Sequence, residues 1–193
     1  MLSVVIATQE SERTLLPTLA ALVPGAVAGI VREVIIADAG SGDSTTQIAE
    51  GAGCRVLTSA ETHGARLKAA AAAARAPWLL FLAPGTVPDA TWIDETRRFI
   101  ETAELLGRAG TYAAAFRRSS ARFRPTLFEA LALLHAALGA APSAKQGLLI
   151  AKALYDRLGG HRPDAREPER DLVRRLGRRH VVLLRTGAVA GFT

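Results

Sequence analysis

Small polar and acidic residues follow two predicted strands near the start of the chain. ATQE (residues 7–10) comes after the first apolar run, and DAGSGD (residues 38–43) comes after the second. A carboxylate at a strand end, followed by glycine and serine, lets a ribose or a base approach closely, and Asp38 could accept hydrogen bonds from either group. The alternative is that Asp38 only fixes the conformation of a turn. The two loops therefore predict either a nucleotide site or a pair of tight connections.

The chain does not carry the sequence signatures of several other sites. No G-x-G-x-x-G follows the first predicted strand and no G-x-x-x-x-G-K occurs, which disfavours nicotinamide dehydrogenases and P-loop NTPases. A single cysteine, Cys54, excludes a disulfide scaffold and a zinc site of several thiolates. The four histidines have no metal-ligand spacing, and we predict that they are core or surface residues: His63, His135, His161 and His180.

Composition and charge bound the class of protein. The 193 residues are 49% hydrophobic, which suffices for one sizeable core and excludes intrinsic disorder. The net charge of +6 suits an anionic partner. No apolar run is long enough to span a membrane and no signal-peptide pattern begins the chain. We therefore expect a cytoplasmic protein, with peripheral association at the inner face of the membrane as an option. The oligomeric state is not predicted.

Strand and helix patterns alternate through the first half of the chain. Apolar runs predict four strands at residues 3–7, 33–37, 55–57 and 78–82. The segments between them carry helical periodicity or helix-favouring alanine. This alternation predicts a Rossmann-like α/β fold, in which a mostly parallel sheet has helices on both faces. Ligands bind beyond the carboxyl ends of such strands, where the loops at 7–10, 38–43 and 83–86 fall.

The second half is less regular. It predicts helices at 90–106, 125–138, 151–158 and 169–176, and strands at 112–118, 147–150 and 180–184. Ser11, Asp43 and Asp89 are predicted helix caps, and Pro24 with Gly25 is predicted to end the first helix. No linker or repeat interrupts the pattern. We predict one domain over residues 1–193, with a nucleotide-binding half (1–107) and an acceptor-side half (108–193).

Five blocks, in order, resemble family 2 glycosyltransferases of the GT-A fold. They read SVVIATQESERTLLPTL, EVIIADAGSGDSTTQIAEGAG, GARLKAAAAAARAPWLLFLAPGTVPDATWI, KQGLLIAKALYDRLGG and EPERDLVRRLGRRHVVLL. The resemblance covers most of the chain and is closest to short bacterial members. It implies a nucleotide-diphospho-sugar transferase of GT-A type, which moves a sugar from a UDP- or GDP-type nucleotide-sugar to an acceptor with inversion.

One departure from the family pattern concerns its metal site. The family motif L-D-A-D-T here reads LAPGT, so Ala83 and Gly85 stand where its carboxylates are. A divalent ion normally neutralises the departing phosphate, and Mg²⁺ prefers carboxylate and phosphate oxygens as ligands. The resemblance therefore implies no divalent metal at the usual site. Cations could replace it, since Arg66, Lys68 and Lys145 could bind phosphate oxygens. The alternative is a catalytically inactive nucleotide- or protein-binding relative.

The resemblance also assigns the remaining site residues. Glu169 stands at the position of the family's general base, which must lie within hydrogen-bond reach of an acceptor hydroxyl, and Asp171 is the second candidate. The implied donor site comprises Ala7, Thr8, Glu10, Asp38, Gly40, Ser41, Arg66, Lys68 and Lys145.

Arginines are concentrated at residues 162–179. They have no interleaved aromatic residues, so nucleic acid is not an expected partner. Many relatives act on lipid-linked acceptors, and apolar residues at 123–131 beside arginines at 117–124 could form a membrane-peripheral face. The alternative for that segment is a core helix with a basic flank.

Overall fold

The structure, a computed structural model, describes residues 1–118 and 147–190. Within these ranges eight strands form one sheet in the order β3-β2-β1-β4-β7-β6-β8-β5. The strands are β1 (Leu2–Thr8), β2 (Val31–Asp38), β3 (Arg55–Thr58), β4 (Trp78–Leu82), β5 (Thr86–Pro88), β6 (Ala113–Arg118), β7 (Leu148–Ala151) and β8 (Val181–Ala190). The helices are α1 (Glu12–Val27), α2 (Thr45–Gly51), α3 (His63–Ala73), α4 (Trp92–Leu105), α5 (Lys152–Arg157) and α6 (Pro168–Leu176), with a 3₁₀ turn at Arg178–His180.

The four strands that the sequence predicts first form the parallel half of the sheet. β1 pairs in parallel with β2 and β4, and β2 pairs in parallel with β3. Beyond β4, strand β7 is antiparallel to β4 and β6, while β8 is parallel to β6 and antiparallel to β5. Every residue of β1 and β4 is buried, so both faces of the sheet's centre are covered. The predicted α/β class with a mostly parallel sheet is confirmed.

Some predictions fall on residues outside the described ranges. These are the helix at 125–138, the apolar face at 123–131, His135 and Lys145.

Two predicted helix boundaries are wrong. Helix α1 does not end at Pro24 but includes it and continues to Val27. The carbonyls of Pro24 and Gly25 have hydrogen-bond partners in the residues that follow the helix. The Ala28 amide donates to the Pro24 carbonyl at 2.9 Å, and the Ile30 amide donates to the Gly25 carbonyl at 3.0 Å. Helix α4 begins at Trp92, after Thr91 at the N-cap position.

Asp89, the predicted cap of α4, instead joins the sheet edge. Its carboxylate accepts from the Gly187 amide at 2.8 Å, and its own amide donates to the Gly187 carbonyl at 2.9 Å. This contact extends β8, which runs to Ala190 instead of ending at residue 184 because it pairs with both β6 and β5.

Gly25 is needed inside α1 because of Trp92. Alanine has a higher helix propensity by about 1 kcal/mol, but a Cβ at residue 25 would lie 2.5 Å from Cζ2 of Trp92. Trp92 is 2% exposed, so it has little room to move. We expect Gly25→Ala to lower the free energy of unfolding by about 1–3 kcal/mol, measured by urea denaturation. Gly51→Ala is the control, since nothing lies within 4 Å of its Cβ. Equal effects of the two variants would contradict the packing argument.

In the part of the chain that the structure describes, no helix is both long and apolar enough to cross a bilayer.

Candidate functional site

Two loops at the carboxyl edge of the sheet are joined by reciprocal hydrogen bonds. We call them the loop clamp; it comprises residues 9–12, after β1, and residues 40–45, after β2. Side chains of each loop bond to backbone amides of the other. The donor and acceptor pairs are Glu10 N to Ser41 Oγ (2.9 Å), Gly42 N to Glu10 Oε1 (2.7 Å), Ser11 N to Thr45 Oγ1 (2.7 Å), Glu12 N to Asp43 Oδ2 (3.1 Å) and Ser44 N to Glu12 Oε2 (3.1 Å). The clamp therefore fixes both loops beside the ends of β1 and β2.

Glu10 has an unusual backbone conformation within the clamp. Its φ of +46° lies in the left-handed region, which residues other than glycine rarely adopt. The two clamp bonds of Glu10, through its amide and its carboxylate, compensate for this conformation. Gly40, with φ +87°, occupies the same region at no steric cost. Ala7 precedes the clamp on β1 and is nearly buried, 9% exposed.

Asp38 is the centre of the second loop. Its side chain is 0% exposed, and its Oδ1 accepts from the hydroxyls of Thr8 at 2.8 Å and Ser41 at 2.6 Å. Its Oδ2 accepts from the amides of Gly40 at 2.8 Å and Ser41 at 2.7 Å. Burial alone would raise the pKa of Asp38, but these hydrogen bonds lower it below its ordinary value, so the carboxylate is ionised.

The geometry of Asp38 favours a structural role, and its predicted direct contact with a nucleoside stays a prediction. A carboxylate with no exposed surface and four hydrogen bonds has no free position for a ribose or a base. Of the two interpretations open at the outset, the turn-fixing role is the one that this geometry favours. Thr8 and Ser41 are thereby occupied as well, through their hydroxyls.

Arg66 connects the ends of the two central strands from α3. Its Nη1 donates to the carbonyls of Thr8 at 2.9 Å and Ala37 at 2.8 Å, and the side chain is buried. Burial lowers the pKa of Arg66, and the nearby charge of Asp38 opposes this shift. Arg66 thus lies at the carboxyl edge of the sheet, with its Nε enclosed and without a hydrogen-bond partner.

Lys68 does not lie beside Arg66, contrary to the prediction that both contact a diphosphate. The two residues are two positions apart on α3, which is about 200° around a helix, so they lie on opposite sides. Lys68 is exposed and lines a small cavity with Tyr155, Gly159 and Gly160. It therefore faces α5 and the glycine turn after it, away from the loop clamp.

Glu169, the predicted general base, is paired with His63. Nε2 of His63 lies 2.7 Å from Oε1 of Glu169, and the Glu169 side chain is 24% exposed. Burial raises the pKa of Glu169, but the hydrogen bond and the charge of His63 lower it below its ordinary value. Glu169 is thus an ionised carboxylate that solvent can still reach.

Asp171, the second candidate base, is enclosed by arginines. Its carboxylate accepts from Arg174 at 2.6 Å and from Nε of Arg175 at 2.8 Å, and it is 9% exposed. Burial raises the pKa of Asp171, but the contacts with the arginines lower it, and the net pKa lies below its ordinary value. A carboxylate held in this way is a poor proton acceptor, so the geometry favours Glu169.

His63 is a site residue that the sequence analysis missed. It begins α3 and lies one helical turn before Arg66, at a spacing that places the two side chains near each other. Its partner Glu169 is 106 positions away in sequence, and no local pattern reveals such a contact. A histidine in the first turn of a helix beside the predicted site was the only available signal.

The loop at the position of the family's acidic motif does not fit a metal ion. Ala83 and Gly85 carry no ligating side chain, and the Gly85 amide donates to the Thr14 carbonyl and the Thr18 hydroxyl, both at 2.9 Å. Among the described residues, no three histidine, cysteine, aspartate or glutamate side chains are grouped as a metal site requires. This loop therefore offers no side-chain ligand to a divalent ion.

The fold is that of the GT-A glycosyltransferases. The sequence model of the family described as Glycosyl transferase family 2 matches residues 3–141, well over half of the chain. The chain therefore belongs to glycosyl transferase family 2, as its five sequence blocks predict.

Solved structures share the fold at low sequence identity. Residues 1–349 of TarS from S. aureus superpose with a TM-score of 0.73 at 16% identity, covering 98% of this chain and 60% of that chain. The same fragment in complex with UDP-GlcNAc gives 0.71 at 16% identity, with 100% and 58% covered. Glucosyl-3-phosphoglycerate synthase from Mycobacterium tuberculosis, in complex with Mn²⁺, UDP and glucosyl-3-phosphoglycerate, gives 0.59 at 18%, with 95% and 68% covered.

These likenesses concern the fold alone. The chain spans about 60% of the length of the TarS fragment. None of the curated proteins compared with this chain matches it.

Proposed function

We propose that this protein is a glycosyltransferase that moves a sugar from a UDP- or GDP-type nucleotide-sugar to an acceptor hydroxyl, with inversion at the anomeric carbon. Membership of the family supports sugar transfer. The solved relatives contain UDP or UDP-GlcNAc, which supports a nucleotide-sugar donor. The acceptor class is open, and a lipid-linked acceptor is one option that the resemblance raises.

The position of Glu169 is the observation that carries the proposal. His63 bonds Glu169 one turn of α3 before Arg66, and Arg66 bonds the carboxyl ends of β1 and β2. Since His63 and Arg66 lie three positions apart on α3, the accessible carboxylate lies near the carboxyl ends of β1 and β2. A base and a donor site must be adjacent for direct displacement, and this arrangement supports the proposal.

In the proposed reaction, Glu169 removes the proton of the acceptor hydroxyl. The acceptor oxygen forms a bond to the anomeric carbon while the bond from that carbon to the nucleoside diphosphate breaks. The proton ends on the Glu169 carboxylate, and the electron pair leaves with the diphosphate. Because attack and departure occur on opposite faces of the sugar, the configuration inverts. Glu169 suits this step because it is ionised and 24% exposed.

We further propose that donor binding needs no divalent ion. Ala83 and Gly85 supply no ligating side chains, and Arg66 places a positive charge at the carboxyl ends of β1 and β2. Lys145, the other proposed cation, lies outside the described residues. Lys68 is not retained in this role because it lies on the opposite side of α3.

A second candidate function is a nucleotide- or protein-binding relative without transferase activity. The missing carboxylates at Ala83 and Gly85 favour it, since loss of the metal site is also what an inactive descendant would show. The two functions differ in turnover and in their response to nucleotides and metal ions.

Nucleotide binding with and without metal separates these proposals. We expect UDP or GDP, at a hundredfold excess over Kd, to raise the free energy of unfolding by about 2.7 kcal/mol. The increase in Tm should be the same in EDTA and in Mg²⁺. Thermal unfolding and calorimetry measure this. Lys68→Ala is the control and should leave Kd unchanged, because Lys68 faces α5. Binding that requires Mg²⁺ would contradict metal independence, and no response to any nucleotide would favour the inactive relative.

A further inference from the structure

An arginine-lined cleft lies on one side of α6. Its volume is about 730 Å³, in the range of small-molecule sites. Five arginines line it: Arg162, Arg166, Arg170, Arg174 and Arg178. Three carboxylates also line it, so the formal charge of the lining is positive. A concave surface with an excess of one charge concentrates the field and attracts ions of the opposite sign.

The charge around Asp171, which lines the cleft, is unbalanced because three arginines share its carboxylate. Asp171 lies 2.6 Å from Arg174, 2.8 Å from Arg175 and 3.9 Å from Arg162. One negative charge cannot neutralise three positive ones. Arg175 is fixed further by bonds to the carbonyls of Leu158 and Gly160. The other two arginines of the cluster, Arg162 and Arg174, line the cleft and give this part of its lining a positive charge.

The outer arginines are available to a ligand. Arg166 makes no hydrogen bond or ion pair with any other residue in the ranges 1–118 and 147–190. Arg170 pairs with Glu167 at 2.9 Å, but both side chains are largely exposed, at 71% and 60%. Exposed pairs of this kind contribute about 0–1 kcal/mol, so a stronger anion would displace Glu167 readily.

The cleft is separate from the candidate reaction centre. Asp171 lines the cleft, whereas Glu169 contacts His63 of α3. The two residues are two positions apart on α6 and so lie on opposite sides of that helix. An anion bound beside Asp171 would therefore lie on the other side of α6 from Glu169.

We propose that this cleft binds a phosphate group of a second ligand, supplied by a soluble phosphorylated compound or by the headgroup of an acidic phospholipid. Guanidinium groups match phosphate in geometry, because each presents two parallel N–H donors to two oxygens. A phosphate has three acceptor oxygens and up to two negative charges, so it can bind several converging arginines. The proposal does not require transferase activity.

Paired double variants test the proposal. Arg166→Ala/Arg170→Ala removes two charges from the cleft, and Arg97→Ala/Arg98→Ala removes two from the exposed surface of α4. The pairs are matched, because Arg98 pairs with Glu95 three positions before it, at 3.2 Å, just as Arg170 pairs with Glu167. Binding of inorganic phosphate and of pyrophosphate is measured by calorimetry on the full chain, with thermal unfolding to verify folding.

We expect the cleft variant to bind phosphate or pyrophosphate at least about tenfold more weakly than the wild type, and the α4 variant to bind as the wild type does. Absence of binding to the wild type, or equal loss in both variants, overturns the proposal.

Sedimentation with vesicles shows whether the phosphate group belongs to a lipid headgroup or to a soluble compound. Loss of binding to phosphatidylglycerol-containing vesicles in the cleft variant alone indicates a lipid headgroup, whereas phosphate binding without vesicle binding indicates a soluble ligand.

Discussion

Replacement of Glu169 by glutamine is expected to lower the rate of sugar transfer by roughly 10²- to 10⁴-fold, the range that a positioned general base contributes. Glutamine keeps the size of the side chain and can still bond His63, but it cannot take a proton. Nucleotide binding should be unchanged, because the loop clamp and Arg66 lie on other elements. The measurements are kcat with a nucleotide-sugar donor and Kd for the nucleotide by calorimetry.

Glu167→Gln is the matched control for this variant. Glu167 lies two positions earlier and is 60% exposed, with Arg170 as its partner. It should retain wild-type kcat. The assignment of the base is wrong if Glu169→Gln keeps more than about a tenth of the activity, or if both variants lose the same amount.

The pH dependence of kcat/KM should reveal the role of His63. Glu169 must be ionised to act, and its pKa lies below the ordinary value because of His63, so the rate should fall only as the pH drops through that low pKa. His63→Ala removes the hydrogen bond and should move this acidic limb to higher pH. His63→Gln keeps an N–H donor and should restore part of the difference. His161, which also lowers the pKa of Glu169, is unchanged in both variants.

The sequence predicts the parallel half of the fold well because its elements are specified locally. The apolar runs of β1, β2 and β4 and the alternation with helices suffice to predict their pairing. The antiparallel strands are different. β5 is three residues long and pairs only with β8, near the end of the described chain. Three residues are too few to show the alternation that predicts a strand, and β5 forms because the fold brings β8 beside it.

In the site, too, the features set by neighbouring residues are predictable from the sequence, and those set by residues far away in the chain are not. Residue types at strand ends predict where the loops lie, since topology brings carboxyl ends together. The orientation of a side chain within such a loop depends on partners from elsewhere. Thr8, 30 positions before Asp38, helps to turn its carboxylate inward, and His63, 106 positions before Glu169, helps to position that carboxylate.

The second large effect that we expect is on stability, at Asp38. Asp38→Ala leaves two hydroxyls and two amides without their acceptor. It also removes the negative charge nearest to the buried Arg66. Breaking one side of a buried charged network costs about 3–5 kcal/mol, and we expect a loss of that size in the free energy of unfolding, measured by urea denaturation. Asp164→Asn, at an exposed carboxylate, should leave the free energy of unfolding unchanged.

Asp38→Asn separates the charge of this side chain from its hydrogen bonds. The amide oxygen of asparagine can accept from the Gly40 and Ser41 amides, and its NH₂ group can donate to the two hydroxyls, which are able to reverse. Only the charge is lost, so the decrease in the free energy of unfolding should be smaller, about 1–2 kcal/mol.

Since the folded-state pKa of Asp38 is lowered, its ionisation stabilises the protein fully above the unfolded pKa of about 3.9. That contribution is lost as pH falls through the folded pKa, so the wild type should approach the variant below about pH 4.

Nucleotide binding by Asp38→Asn distinguishes the two roles that have been considered for this carboxylate. If Asp38 orders the loop, the folded variant should bind the nucleotide with a Kd close to that of the wild type, because the loop clamp remains closed by the bonds of Glu10, Ser11 and Glu12. If Asp38 contacts the nucleoside directly, affinity should fall by about tenfold or more while stability changes little. The second result would show that the carboxylate turns outward when the donor binds, and the four internal bonds would then be a feature of the free protein alone.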